Sequence, residues 1–302
     1  MAQKFGIVDI DLLDNGTRHP NLVLMKIAGY LRDKNLPYEF IFSDSVDIAD
    51  YHTIYASKVF TFSKEPPFLE HVKDHENEIT ILRGGTGYYA DEENTTLFNK
   101  LREEDMVKLE HDPRLPGFSL TTQMPDYKLY DQFIEHKISL GYKPSAYKDY
   151  QEFSIGFLTR GCIRKCPFCV KKNIDYVFDY SRLTDFVDES RPKIYLWDDN
   201  FLAAKNWKPL LKSLQDTRKP FQFRQGLDIR LITDEKAAML AESRYYGDYM
   251  FAFDQIKDKS LIEKKLSVWR KHTQKTTKLY LFCGYEVSDD QTLITDILVV
   301  SS

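Results

Sequence analysis

Short apolar runs rich in β-branched and aromatic residues punctuate the first third of the chain. "KFGIVDIDL" (4–12), "YEFIF" (38–42), "TIYAS" (53–57) and "ITILRGG" (79–85) predict buried strands. Between the first two, "NLVLMKIAGYLRDKN" (21–35) sets Val23, Ile27, Tyr30 and Leu31 on one helical face, with Asn21 in the N-cap position. Strands alternating with helices predict an open parallel α/β domain over residues 1–107. Ligands in such sheets bind beyond the carboxyl ends of the strands. "DNG" (14–16) and "RGGTGYY" (83–89) fall there.

Residues 108–152 lose this alternation. "EHDPRLPGFSLTTQMPDYKLYDQF" carries three prolines and weak periodicity, which predicts a linker and a domain boundary. From 153 the alternation resumes. Strands are expected at "FSIGFLT" (153–159), "KIYLWDD" (193–199), "FQFRQG" (221–226), "DYMFAFD" (248–254) and "KLYLFCGY" (278–285). Trp207, Leu210, Leu211 and Leu214 have helical spacing, as do Ile262, Leu266 and Trp269. Thr233 stands as an N-cap before Asp234 and Glu235, acids that suit the first turn of a helix. Five β–α units over 153–302 predict a partial (β/α) TIM-like barrel, since a closed eightfold one needs about 250 residues.

Composition narrows the function classes. The 302 residues are 42% hydrophobic and 14% aromatic, which is globular and not disordered. A net charge of -4 argues against a protein that coats nucleic acid. The lysine-rich segment 257–278 is broken by Asp258 and Glu263 and reads as a solvated helix face, so nucleic acid is not expected as a partner. No apolar run reaches the length of about 18 residues that a membrane span needs. The opening "MAQKFGIVDIDLLDNG" lacks the charged-then-apolar order of a leader, so a cytoplasmic, reducing setting is expected. There, four cysteines read as metal or catalytic groups before disulfides.

Three of the four lie in "FLTRGCIRKCPFCVKK" (157–172), directly after a predicted strand. Cys162, Cys166 and Cys169 have C-x3-C-x2-C spacing and can hold a soft metal. A structural zinc site needs a fourth ligand. Cys283, His136 and His272 are the candidates, although Cys283 in "LYLFCGY" reads more simply as a buried apolar thiol. A cubane iron–sulfur cluster normally takes four thiolates, so three would leave one iron open. Gly161 beside the first cysteine permits a close wrap of the loop. Arg160, Arg164, Lys165, Lys171 and Lys172 would offset the charge of a reduced cluster or face an acidic electron donor; the two lysines read equally as solvated loop residues.

This motif, in a loop after the first strand of a partial barrel and with the aromatic Phe168 before its third cysteine, resembles the radical S-adenosylmethionine superfamily. The resemblance implies a 4Fe–4S cluster on Cys162, Cys166 and Cys169, with S-adenosylmethionine chelated to the open iron. Reductive cleavage to methionine and a 5′-deoxyadenosyl radical, which abstracts hydrogen from a substrate, would follow. It places Phe168 against adenine. "YLWDDNFLA" (195–203) resembles a "DD-x-F" stretch of such enzymes, which makes Asp198, Asp199 and Asn200 candidate contacts to the methionine amino group or ribose; the alternative for Asn200 is helix capping. Arg230, in "FQFRQGLDIRLIT" (221–233), suits the methionine carboxylate or an ordinary pair with Asp234. Asp254, Gln255 and Glu286 are expected on the same rim. The implied partners are a reduced flavodoxin- or ferredoxin-like donor and an unidentified substrate.

"RHPNLVLMKIAGYLR" and "ILRGGTGYY" resemble the Rossmann-like, cobalamin-binding-like domains that precede many radical enzymes. Gly84, Gly85 and Gly87 are expected to let backbone approach a flat or phosphorylated ligand. Where the axial-histidine motif D-x-H-x-x-G has Asp and Gly, this chain has Thr17 and Leu22. His19 is therefore not expected to bind cobalt, and cobalamin stays open only through histidine-independent binding. After the fifth strand of the barrel only "DDQTLITDILVVSS" follows, shorter than the resemblance leads one to expect. Two other readings stay open: a zinc-stabilised or inactive scaffold, and a methylthiotransferase-like RNA modifier.

Overall fold

The computed structural model describes residues 4–43, 46–70, 79–88, 109–166, 169 and 174–281. The chain divides into two compact units, Met1–Ser154 with Thr184–Arg191, and Ile155–Leu183 with Pro192–Ser302. Both are mixed α/β with parallel strands.

In the first unit the strands β1 (Lys4–Asp9), β2 (Tyr38–Phe40), β3 (Tyr51–Ser57) and β4 (Thr80–Gly84) form one parallel sheet in the order β2-β1-β3-β4. Successive side chains feed opposite faces. Phe5, Ile7 and Tyr55 join one apolar cluster, while Val8, Ile54 and Ala56 join another. Burial on both faces explains why these strands read as continuous apolar runs. The first run was expected to stay extended to residue 12, but it turns at Asp9. The Asp9 carboxylate accepts from Leu12 N and starts the short helix α1 (Ile10–Asn15). Helix α2 (Leu22–Asp33) begins as expected, with the Asn21 side chain accepting from Leu24 N at 3.3 Å. Its packed face is Leu24, Ile27, Ala28 and Leu31, and Val23 stands exposed. Helix α3 (Pro67–Glu70) follows.

Residues 109–152, expected as a linker, contribute to the core of this unit. Leu115, Phe118, Leu120, Tyr127, Tyr130 and Phe133 are buried in the same cluster as Phe5 and Ile7. Tyrosine hydroxyls bind this segment to the sheet. Tyr130 donates to Asp9 at 2.8 Å, Tyr55 to Asp112 at 2.9 Å and Tyr38 to Asp126 at 2.5 Å. Short helices interrupt it, among them α4 (Asp131–Ser139) and α5 (Lys148–Glu152), the latter directly after a 3-10 turn at Pro144–Tyr147. A segment held by side-chain bonds at irregular intervals leaves no period to read.

The second unit begins within β5 (Phe153–Gly156). It continues through a short antiparallel pair, β6 (Thr159–Arg160) with β7 (Phe178–Asp179), to β8 (Lys193–Leu196) and β9 (Phe221–Phe223) in the order β5-β8-β9. β10 (Tyr249–Phe253) and β11 (Thr277–Leu281) form a parallel pair. Isolated parallel bridges Phe221↔Tyr245 and Leu227↔Phe251 link the two groups of strands. Helices α6 (Trp207–Asp216), α7 (Asp234–Ala241) and α8 (Lys259–Arg270) connect successive strands. Thr233 caps α7 as its sequence predicts, accepting from Lys236 N at 3.2 Å. On α8, Ile262 and Trp269 are buried while Lys264 and Arg270 face solvent, as expected of a solvated basic helix. No barrel closes among the described residues, so α/β with parallel strands is the architecture observed. No described helix is long and apolar enough to cross a membrane.

Candidate functional site

The cysteine loop leaves the carboxyl end of β5, and carboxylates at the ends of neighbouring strands hold its first residues. Asp198, two residues beyond β8, accepts from Thr159 N and Thr159 Oγ1, each at 2.6 Å, and from Leu158 N at 3.2 Å. It is 1% exposed, and burial pushes its pKa up to about 6 against the pull of those bonds. Asp199 accepts from Gly161 N at 2.9 Å and lies 3.3 Å from Arg160 Nε. These adjacent acids, expected to face a small-molecule cofactor, grip the chain on either side of residue 160. Thr159 and Arg160 pair with Asp179 and Phe178, so the loop closes on its own base. Gly161 sits there with φ +91°, and a Cβ on it would lie 2.2 Å from the Tyr176 carbonyl oxygen. Only glycine fits that crossing.

Asp228 anchors the next part of the loop. It follows β9, is buried, and accepts from Arg164 Nε at 2.8 Å and Arg230 Nε at 2.7 Å. These two guanidinium groups hold its carboxyl below the usual range despite burial. Arg230 extends the chain of charges to Asp258 at 2.6 Å. Its Nε and Nη1 are thus committed within the protein. The pair with Asp234 considered from the sequence does not form, because Asp234 accepts from His272. Asn200 joins the network: Nδ2 lies 3.3 Å from Cys162 Sγ and 3.4 Å from Asp228 Oδ2. It makes no side-chain cap on the turn that follows, so the capping alternative does not hold.

Cys162, Cys166 and Cys169 are half-buried and none is in a disulfide. Cys162 Sγ accepts from Arg164 N at 3.3 Å, and Cys169 N donates to Cys166 O at 3.0 Å. The Cys166 thiol is pushed up by burial and by the Asp254 carboxylate, while Arg230 opposes both. Burial also raises Asp254. Cys166, Asp254 and Arg230 thus share one electrostatic neighbourhood. The structure brings together the cysteine loop, Asp199, Asn200, Asp228, Arg230 and Asp254. Gln255, expected on the same rim, is half-buried. Phe168, Lys171, Lys172, Cys283 and Glu286 lie outside the described residues. Arg164 was expected beside the thiolates as a balancing charge, but its bond to Asp228 was not, since no motif ties a loop arginine to an acid 64 residues later; Asp258 was read only as a break in the lysine-rich segment.

Among the described residues, no three His, Cys, Asp or Glu side chains converge to hold one metal ion. His272, a candidate fourth zinc ligand, is committed to Asp234. The donor chemistry does fit a metal–sulfur group. Three soft thiols stand on one anchored loop, one sulfur receives two N–H donors, and the Oδ1 of Asn200 is buried beside it with no hydrogen-bond partner among the described residues.

In the first unit the corresponding strand ends are closed by internal bonds. Asp11 accepts from Val59 N at 2.6 Å and from Ser63 Oγ at 2.5 Å. A Cβ on Gly85 (φ +100°) would lie 2.2 Å from Lys58 O, so this glycine admits the chain's own backbone and not a ligand. His19 is 2.7 Å from Asp149.

Searches of protein-family models, curated proteins and solved structures returned no match to this chain.

Proposed function

We propose that this protein is a radical S-adenosylmethionine enzyme whose cluster is held by Cys162, Cys166 and Cys169, and that its second unit is a partial (β/α) barrel. The observation that carries the reading is the C-x3-C-x2-C loop at the carboxyl end of β5, gripped by Asp198, Asp199 and Asp228 from the ends of the next two strands. Active sites of (β/α) folds are built at that end. Three thiolates, one short of the usual four, would leave one iron of a cubane cluster open to a further ligand. When bound, such a cluster supplies the electron that cleaves S-adenosylmethionine and so starts hydrogen abstraction from a substrate.

The chain's own groups do the positioning. Asp198 and Asp199 orient residues 158–161 so that Cys162 enters from a defined direction. Arg164 and Arg230 bring positive charge beside thiolates that would carry the cluster's negative charge. Asp254, raised by burial, offers a carboxyl near Cys166 to a ligand amine or hydroxyl.

Anaerobic reconstitution with iron and sulfide, followed by reduction and EPR with and without S-adenosylmethionine, tests the reading. A cubane signal that changes on adding S-adenosylmethionine, and is lost in Cys166→Ala, is the expected result. Tightly bound zinc and no cluster would overturn it.

A further inference from the structure

Asn200 stands out because nothing in the fold needs its carboxamide where it is. It is 5% exposed, sits before a single turn of 3-10 helix, and does not cap that turn. Its Nδ2 faces two acceptors, Cys162 Sγ at 3.3 Å and Asp228 Oδ2 at 3.4 Å. The orientation of the amide follows from its neighbours. Reversing it would set Oδ1 against the Asp228 carboxylate, acceptor against acceptor. With Nδ2 so placed, Oδ1 has no partner among the described residues. A buried carbonyl oxygen without a donor is uncommon and needs a reason.

Asp228 supplies one. It is locked by Arg164 and Arg230, so it presents Oδ2 at a defined place and keeps the Asn200 N–H group turned toward the sulfur. Cys162 then receives two N–H donors, one from the backbone of Arg164 and one from Asn200. Hydrogen bonds to a ligand sulfur withdraw electron density from it and favour the more negative, reduced state of a bound metal group.

We infer that Asn200 is a positioning residue of the cysteine site: its N–H···S bond orients Cys162 and sets the reduction potential of the group that sulfur ligates. The inference rests on the reading of the cysteines as cluster ligands. Asn200→Leu removes the donor without adding charge. Asn200→Ala, smaller and likewise without a charge or an N–H donor, covers the case in which the leucine variant does not fold. The readout is the midpoint potential of the reconstituted cluster, from an EPR-monitored redox titration beside iron and sulfide counts. Both variants are expected to hold the cluster at a more negative potential than the wild type; potentials equal to wild type in the folded variants would overturn the inference. Absence of a cluster in the wild type would instead overturn the cluster reading. The N–H···S bond would then be tested with cobalt(II), through its thiolate charge-transfer band. A band that moves in Asn200→Leu supports the bond, and an unmoved band overturns it.

Discussion

Replacing Asp228 by alanine asks whether the cysteine loop is truly held from the strand ends. Asp228 is 6% exposed and accepts from Arg164, Arg230 and Asn200. Removing one member of a buried ion pair costs about 3–5 kcal/mol, because the partner's charge is left uncompensated. Two features of the network lower that figure. Arg230 keeps Asp258 at 2.6 Å, and the Arg164 side chain is 32% exposed, where solvent screens it. The expected loss is therefore near the lower end, about 3 kcal/mol. The chain's three tryptophans, Trp197, Trp207 and Trp269, all lie in the second unit. A urea titration followed by tryptophan fluorescence thus reads that unit alone. At a slope of about 1–3 kcal/mol/M the midpoint should fall by about 1–3 M. Arg164→Ala closes a double-mutant cycle, and the two losses should overlap by about 1 kcal/mol or more if the pair is real. Iron loading should fall in parallel, because Arg164 lies between Cys162 and Cys166. A loss below about 1 kcal/mol with normal iron loading would refute the anchoring argument.

Two further substitutions probe the same logic elsewhere. Gly161→Ala adds a Cβ 2.2 Å from Tyr176 O at φ +91°. The conformational strain alone is about 1–2 kcal/mol, and the clash opens the β6–β7 closure. Metal stoichiometry should drop sharply while the tryptophan-detected midpoint moves modestly; full loading would show that the loop base tolerates a side chain. In the first unit, burial raises Asp9 from 3.8 to about 7. The folded state therefore holds this proton more tightly than the unfolded state, and stability is lost as pH rises from about 4 to about 7. Between pH 5 and pH 8 the loss is about 2–3 kcal/mol, and Asp9→Asn should abolish it. Urea-dependent hydrogen exchange of the β1 peptide, corrected for the intrinsic rate at each pH, measures it, and an equal pH slope in both proteins would sink the assignment.

Much of this protein was legible in its residue order. Continuous apolar runs located the strands of both units, because most are buried on both faces, and the 3.6-residue period or a capping residue located helices such as Leu22–Asp33 and Asp234–Ala241. Caps at Asn21 and Thr233 were readable because the bond spans three residues. The cysteine cluster was readable for the same local reason, since three thiols lie within eight residues. Tertiary structure alone decided what the acids and arginines do. Asp198, Asp199 and Arg230 were legible as strand-end groups, but the partners of the two acids, and the Asp258 that Arg230 meets beyond its neighbour Asp228, lie tens of residues away in sequence. A charged side chain at a strand end suits a ligand or a neighbouring loop equally well, and only the packing of the strands settles which acceptor meets which donor. The same holds for residues 109–152, whose core role depends on hydroxyl bonds to Asp9 and on Tyr38 and Tyr55 of the sheet. Local periodicity is written into the chain; the pairing of distant polar groups arises only when folding brings them within hydrogen-bond reach.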